Sequence, residues 1–299
     1  MPSPSAEPPL NERRLTLNTL EQLADLDLPL LLNLQRETIR LKPDTVELYQ
    51  AIADRFLRLG EPLIAYDMLS EGLKQWPQDL PLQQSMALAL ARSGATTSAN
   101  ALLQKLVDDG QGDATTLGLL ARTHKDLWSQ TLDEQRQRHH LALAADCYAQ
   151  AYARQPETWT GINAATMALL RGRPDQAAAL ARQIQQQCHA QLATNPADPY
   201  WVLATLGEAA LILGRLEEAE DFYRQAIAIG QGRFGDLSSS YRNAQLLLKH
   251  LGGDRSLLQA WFQMPRVAVF CGHMIDLPER PTPRFPPELE PQVYQAIYD

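Results

Sequence analysis

The residues of this chain that could do chemistry are mainly histidines and cysteines, and their spacing matches no common catalytic or metal-binding pattern. Adjacent His139 and His140 cannot share one helix face, and the HExxH spacing of zinc proteases is absent. We interpret the pair as part of a solvated loop. The polar segment that contains it, 129–140, fits either an extended helix start or an exposed loop. Cys188 precedes His189 on a polar helical stretch, where nucleophilic catalysis would need a base from another turn. The sequence therefore predicts no catalytic residue, no metal site and no cofactor.

Basic side chains form a second group of candidates. Arg58, Arg92, Arg122 and Lys125 recur in a chain whose formal net charge is −8. A guanidinium can hold a carboxylate through two parallel hydrogen bonds, so such a track would suit an acidic peptide or a C-terminus. The alternative is a set of ordinary solvated charges, which contribute little individually. A binding role predicts that changing Arg92 and Arg122 to glutamate abolishes partner capture without lowering the melting temperature.

The composition limits the class of protein that could present these residues. The chain has 299 residues, of which 45% are hydrophobic and 21% are charged, as in a soluble globular protein with a substantial core. Its acidity argues against general nucleic-acid binding. No run approaches the roughly 18 apolar residues that span a bilayer, and the N-terminus lacks a secretory h-region. Three widely separated cysteines favour a reducing cytoplasm over a disulfide framework.

An internal repeat indicates which elements position the candidates. Gly60 and Gly94 are 34 residues apart, as are Ala65 and Ala99, and the apolar residues between them follow helical spacing. The clearest unit runs from 200 to 231, with a Leu-Gly pair followed by glycine, alanine, an aromatic residue and alanine. This period and these positions closely resemble the tetratricopeptide repeat.

The resemblance implies an all-α, right-handed α-solenoid of helix pairs over residues 28–264, preceded by a disordered or capping segment at 1–27. One unit cannot bury its apolar stripe alone, so about six units stack into one core. The first helix of each unit is expected to line a concave groove. The residues that this pattern places on or near the groove are Gln50, Asp54, Arg58, Gln84, Arg92, Arg122, Lys125, Trp159, Glu208 and Arg242. For Trp159, packing between units is the favoured alternative to binding.

Three segments carry a second resemblance: LLARTHKDLW at 119–128, QPETWTGINAATMALLRG at 155–172 and YWVLATLGEA at 200–209. In this order and spacing they resemble the TRAFs-binding domain. That domain is the tetratricopeptide-containing central regulatory region of apoptosis signal-regulating kinases, and it also occurs in bacterial signalling proteins. The similarity spans about 113–251 and implies a helical platform that docks partners and controls an attached effector. It does not imply a kinase, because the glycine-rich, HRD and DFG motifs are absent.

The composition changes at residue 265. Residues 266–270 are strand-like and are followed by a Cys-Gly-His segment and a proline-rich stretch. This order resembles the opening of a Rossmann-like nucleotide-sensing domain, whose ligand would lie near Gly272 and His273 at the carboxyl end of the strand. A parallel sheet needs several such units. We therefore expect either a truncated Rossmann-like domain at 265–299 or a short strap on the solenoid end.

Three functions remain open at this point. The first is a non-catalytic regulatory scaffold of a cytoplasmic, bacterial-type signalling system that binds a protein partner, with charge favouring an acidic peptide or helix. The second is a sensor or enzyme with nucleotide chemistry in the C-terminal domain, and repeats that serve assembly. The third is a self-associating adaptor. We expect neither nucleic-acid nor membrane binding, and the partner, the effector output and the oligomeric state stay open.

Overall fold

A computed structural model describes residue 26, residues 28–254 and residues 256–262 of the protein. The strand predicted at 266–270, the candidate ligand site at Gly272 and His273, and nearly all of the N-terminal segment lie outside these residues. The described residues form helices joined by short turns, which confirms the predicted all-helical repeat fold.

Thirteen helices occur in the described residues, and they pair along the chain. They are α1 (Leu28–Leu41), α2 (Val46–Leu59), α3 (Pro62–Gln75), α4 (Leu80–Arg92), α5 (Thr96–Asp108), α6 (Ala114–Gln130), α7 (Glu134–Arg154), α8 (Thr158–Leu170), α9 (Pro174–Ala193), α10 (Tyr200–Ile212), α11 (Leu216–Ile229), α12 (Phe234–Leu251) and α13 (Ser256–Phe262). After α1, each even-numbered helix packs against the odd-numbered helix that follows it. We refer to the even-numbered helix as the first helix of its pair.

Most first helices end at a glycine in the left-handed conformation. Gly60 follows α2 with φ of 90°, and its N–H bonds back to the Leu57 carbonyl at 3.2 Å. The next N–H, from Glu61, bonds to the Phe56 carbonyl at 2.9 Å. Other residue types are strained at this φ, so glycine sets the turn that reverses the chain. The same role recurs after α4, α8, α10 and α12 at Gly94, Gly172, Gly214 and Gly252.

Buried tyrosines fill the core between helices, and small residues make room for them. Tyr49 and Tyr223 have no exposed surface. A Cβ added to Gly72 would lie 3.3 Å from Tyr49, and one added to Gly207 would lie 2.8 Å from Tyr223. Large rings bury much apolar area, but they need an opposing position without a side chain. The repeated glycine and alanine positions in the sequence are therefore packing positions.

The third pair departs from the repeat period. Its helices α6 and α7 have 17 and 21 residues, longer than most of the others. Asp133 caps α7 by accepting a hydrogen bond from the Arg136 N–H at 2.7 Å. His139 and His140 consequently lie within a helix. From Glu134 onward the extended helix start is therefore correct, and the solvated-loop interpretation of His139 and His140 is wrong. Residues 131–133 form a short connection between α6 and α7.

First helices of different pairs also contact one another. Contacts join α2 to α4, α4 to α6, α8 to α10 and α10 to α12, so the first helices together form one surface, which we call the inner face. In addition, α2 contacts α12 directly, although most of the described chain separates them. We call this contact the closure. It determines what the inner face can bind.

Candidate functional site

The closure begins with a close approach of two backbones. A Cβ on Gly235, in the first turn of α12, would lie 2.1 Å from the Leu57 carbonyl oxygen and 3.1 Å from the Gly60 nitrogen. Real Cβ atoms do not approach a backbone atom this closely, so the contact requires glycine at this position. The N-terminal turn of α12 thus lies beside the last turn of α2.

Arg233 joins the closure to the turn before α10. Its guanidinium donates to both carboxylate oxygens of Asp198, at 2.8 and 2.9 Å, and to Asp236 at 2.8 and 3.0 Å. It also lies 4.6 Å from the ring centroid of Tyr200, within cation–π range. Only 8% of Arg233 and 2% of Asp236 are exposed. Arg233 and Asp236 thus form a nearly buried, charge-assisted pair, and the partly exposed Asp198 adds a second carboxylate to the same guanidinium.

The pKa values of this cluster follow from its contacts. Burial alone would raise the pKa of Asp198, but the hydrogen bonds and charge of Arg233 outweigh it and hold the value below the ordinary range. Burial would lower the pKa of Arg233, and the bonds to Asp198 and the charge of Asp236 raise it instead. Arg58 adds a longer, partly exposed contact to Asp198 at 3.4 Å. The charged forms are therefore the ones that the fold stabilises.

Arg92 connects α4 to the closure. Its Nη1 donates to the Leu57 carbonyl at 2.7 Å, and its Nη2 lies 3.4 Å from Asp236. The side chain is 11% exposed. Burial, followed by repulsion from Arg122, lowers the pKa of Arg92 to about 10. The structure changes the expectation for Arg92: because glutamate would break this internal contact, we now expect Arg92→Glu to lower the melting temperature.

A second polar cluster crosses the inner face. Lys125 Nζ on α6 donates to Asn163 Oδ1 at 2.8 Å and to Asn243 Oδ1 at 3.0 Å. Asn243 Nδ2 in turn donates to Glu208 Oε1 at 3.0 Å. Both charged residues are buried, so burial lowers the pKa of Lys125 to about 8 and raises that of Glu208. Four first helices, α6, α8, α10 and α12, meet at this cluster.

The remaining groove candidates are divided between internal and open positions. Gln50 donates to Asp54 at 3.1 Å, and Gln84 donates to Asp113 at 3.0 Å and to Thr116 at 2.9 Å, so Gln84 joins neighbouring pairs. The side chains of Arg58 and Arg242 are exposed, and that of Arg122 is partly buried near Asp126. All the predicted groove residues therefore lie on first helices, and several of them already have partners within the chain.

Trp159 packs between pairs. A Cβ on Gly118 of α6 would lie 2.1 Å from Trp159 Cη2, so the indole ring rests against the bare backbone of the preceding first helix. Its Nε1 donates to Glu157. Trp159 therefore packs between helix pairs, the alternative to binding that the sequence favours. The same contact explains why Gly118, which has no side chain, lies opposite the ring.

His124, His140, Cys147 and Cys188 are at least partly buried between helices, whereas His139 and His189 are exposed. His124 of α6 is buried, and its Nδ1 lies 3.1 Å from Nδ1 of His140 on α7. The two rings are stacked. Burial raises the pKa of the Cys188 thiol to about 12 and also raises that of Cys147, which disfavours the reactive thiolate. Within the part of the chain that the structure describes, no group of three or more His, Cys, Asp or Glu side chains is arranged to hold a metal.

His124 is expected to make stability depend on pH. Burial first, and then the charges of His140 and His139, lower its pKa to about 4. The unfolded chain takes up this proton near pH 6.5, so its contribution to stability is complete above that pH and is lost as the pH falls toward 4. Between pH 7 and pH 5 we expect the free energy of unfolding to fall by about 1–2 kcal/mol, a range reduced to allow for screening by solvent. Urea unfolding at pH 7 and pH 5, for the unchanged protein and for His124→Gln, measures this fall. An equal fall in the two proteins would contradict the prediction.

The closure residues Asp198, Arg233, Asp236 and Asn243 were absent from the candidates that the sequence provided. A repeat pattern locates helix faces, but it does not show which pairs far apart in the chain meet. One signal was present: the stretch Gly-Arg-Phe-Gly-Asp at 232–236 places charges among glycines between two helices. Such a combination marks a close backbone approach with nearby polar contacts.

The comparisons with known proteins support the same architecture. Residues 65–168 match the family model described as Tetratricopeptide Repeats-Sensor. Among solved structures, TTC0263, a thermophilic TPR protein of Thermus thermophilus, has 22% identity and a TM-score of 0.52, and the match covers 68% of this chain and all of that one. The fold is that of tetratricopeptide-repeat proteins. None of the curated proteins matches.

Two other similar structures belong to longer proteins. Human IFIT1, solved as a dimer with m7Gppp-AAAA, has 15% identity and a TM-score of 0.50, with coverage of 77% of this chain and 56% of IFIT1. The Cut9 and Hcn1 hetero-tetramer of APC/C has 15% identity and a TM-score of 0.51, with coverage of 82% and 47%. This chain therefore spans about half the length of those proteins. At such identities the likeness shows the fold alone.

No helix within residues 28–254 or 256–262 has the length and apolar character required to cross a bilayer.

Proposed function

We propose that this repeat protein is a non-catalytic interaction scaffold, which binds an acidic peptide or helix of a regulatory partner on its inner face. Repeat solenoids use the surface formed by their first helices for binding. The observation that carries the proposal is that three basic residues on first helices keep exposed surface: Arg58 and Arg242 are exposed, and Arg122 is only partly buried. The TRAFs-binding-like segments and the word Sensor in the matched family description support a regulatory role in cytoplasmic signalling.

The closure divides the inner face into an available and an enclosed part. Arg92, Lys125 and Glu208 are held by contacts across the closure or between first helices. Arg58 and Arg242 remain exposed. A partner would therefore meet the exposed cations first. It would reach the enclosed polar groups only where α2 and α12 separate.

A display library of random peptides, selected on the full chain, tests the proposal. We expect enrichment of peptides rich in aspartate and glutamate. The double variant Arg58→Gln, Arg122→Gln should weaken their binding at least tenfold, since each charge-assisted hydrogen bond is worth about 1.5–3 kcal/mol. Fluorescence anisotropy with one labelled peptide gives the dissociation constants.

The matched control is Arg138→Gln with Arg224→Gln. Both arginines are exposed on second helices, α7 and α11, and each pairs with a glutamate one turn earlier. This variant has the same net charge as the test variant. We expect binding within about twofold of the unchanged protein, because screened outer charges contribute little. Equal loss in both variants would show that overall charge, rather than the inner face, attracts the peptide.

A further inference from the structure

Four cations converge where α4, α6 and α12 meet on the inner face: Arg92, Arg122, Lys125 and Arg242. The hydrogen bond from Lys125 Nζ to Asn243 Oδ1, at 3.0 Å, holds α6 against α12. Arg122 lies one turn before Lys125 on α6, and Arg242 precedes Asn243 on α12. Arg92 reaches the same helix through Asp236 at 3.4 Å. Three helices thus direct positive groups to one place.

The surrounding acids do not fully balance these cations. Asp126 lies 3.9 Å from Arg122, beyond hydrogen-bond range. Asp236 makes its shorter contacts, at 2.8 and 3.0 Å, with Arg233 rather than Arg92. Glu208 is reached only through the Asn243 amide.

Several donors of the cluster are also unused. No hydrogen bond or ion pair within the described residues involves the guanidinium of Arg242, and the buried Nε of Arg92 has no partner there. Guanidinium donors are seldom left without acceptors in a partly enclosed position. The buried Nε of Arg92 is therefore a donor that an acceptor bound at this part of the inner face would satisfy.

Electrostatic coupling within the cluster is repulsive. After burial, the charge of Arg122 lowers the pKa of Arg92, and it does the same to Arg242. Burial lowers the pKa of Lys125, the carboxylates of Asp126 and Glu208 act to raise it, and the charges of Arg122 and Arg242 lower it further. Like charges held together in a partly dry site cost free energy, which a bound anion would recover.

We propose that Arg122, Arg242 and Arg92, with Lys125 behind them, form a binding site for a phosphate-bearing small molecule. A phosphate group offers three acceptor oxygens in different directions, whereas a carboxylate offers two in one plane, so phosphate suits guanidinium groups from three helices. The exposed side chain of Arg242 leaves the site open to solvent. With α2 and α12 in contact, the site favours a small anion over a macromolecule. Arg122 and Arg242 are also among the cations proposed above to meet an acidic peptide, so the phosphate ligand and the peptide would compete for them.

Thermal unfolding of the full chain with about 1 mM tripolyphosphate tests this site, because a ligand that binds the folded state raises the melting temperature. Sodium chloride and sodium sulfate at the same ionic strength, and citrate as a carboxylate, are the comparisons. We expect a rise of several degrees with tripolyphosphate and less than a third of it with the others. An equal rise with citrate or sulfate would overturn the phosphate assignment.

The variants Arg122→Gln and Arg242→Gln make the test specific. Each should weaken tripolyphosphate binding, measured by calorimetry, at least tenfold, whereas Arg138→Gln on the outer side should not change it. Without the anion, Arg242→Gln should leave the melting temperature equal or higher, because it removes a repelled cation. A fall in that temperature together with unchanged binding would overturn the proposal.

Nucleoside triphosphates distinguish the source of the phosphate. Tighter binding of ATP or GTP than of tripolyphosphate would assign the site to a nucleotide, and equal binding would assign it to the phosphate chain alone. Both outcomes support the site. Absence of binding by all three overturns it.

Discussion

Replacement of Arg233 by alanine is expected to lower the free energy of unfolding by about 3–5 kcal/mol, the range for breaking a buried ion pair. Arg233 holds the buried carboxylate of Asp236 at 2.8 Å and both oxygens of Asp198. Without it, Asp236 keeps only the longer contact to Arg92 at 3.4 Å. The raised pKa of Arg233 agrees with this expected destabilisation, because it means that the folded state stabilises the charged guanidinium. Urea unfolding at pH 7 measures the change.

Two further variants show whether the loss comes from this cluster. Arg224→Ala removes an exposed arginine that pairs with Glu220 on α11, and we expect a change within about 0.5 kcal/mol. Arg233→Lys keeps the charge but cannot make two-point contacts with both carboxylates. Its loss of unfolding free energy should lie between those of Arg233→Ala and Arg224→Ala. If Arg233→Ala were as neutral as Arg224→Ala, the cluster would not stabilise the closure.

Gly235→Ala should open the closure. The added Cβ would lie 2.1 Å from the Leu57 carbonyl oxygen, and a backbone atom cannot move aside as a side chain can. We expect a net destabilisation of about 1–3 kcal/mol, after the gain of up to about 1 kcal/mol from alanine in a helix. Amide hydrogen exchange is the decisive measurement. Protection should fall in the last turn of α2 and the first turns of α12 while the other pairs keep theirs.

Gly112→Ala is the matched control for that change. A Cβ there would meet Val107 at 3.5 Å, an ordinary van der Waals distance. Its exchange pattern should equal that of the unchanged protein. Uniform loss of protection along the chain in Gly235→Ala would mean that the closure and the pairs unfold together. That result would contradict a separable closure and, with it, the two-part inner face of the proposed function.

Local patterns account for what the sequence predicted well. The helix pairs predicted within 28–264 are where apolar periodicity and turn glycines place them. Gly60 and Gly94 marked turns because their left-handed conformation is a property of single residues. The start of the second helix in the irregular third pair did not follow from the sequence, since a polar stretch such as 129–140 fits both a loop and a solvated helix face.

The candidate site was predictable only in part. The repeat pattern placed Arg92, Lys125 and Glu208 on first helices, as the structure has them, because helix bounds follow from local periodicity. It could not show that Arg92 meets Asp236, which is 144 residues away. Contacts of that separation depend on how small rotations add up over successive pairs, and no local spacing records their sum.

The sequence by itself thus determined the helices, their pairing and the inward side of each first helix, because these follow from periodicity and turn residues within one unit. Only the tertiary structure decided that α2 meets α12, that Arg233 and Gly235 hold this contact, and that the groove is partly enclosed. The physical reason is that a bare glycine backbone and a buried ion cluster act between elements far apart in the chain. Their partners exist only after all the pairs have stacked.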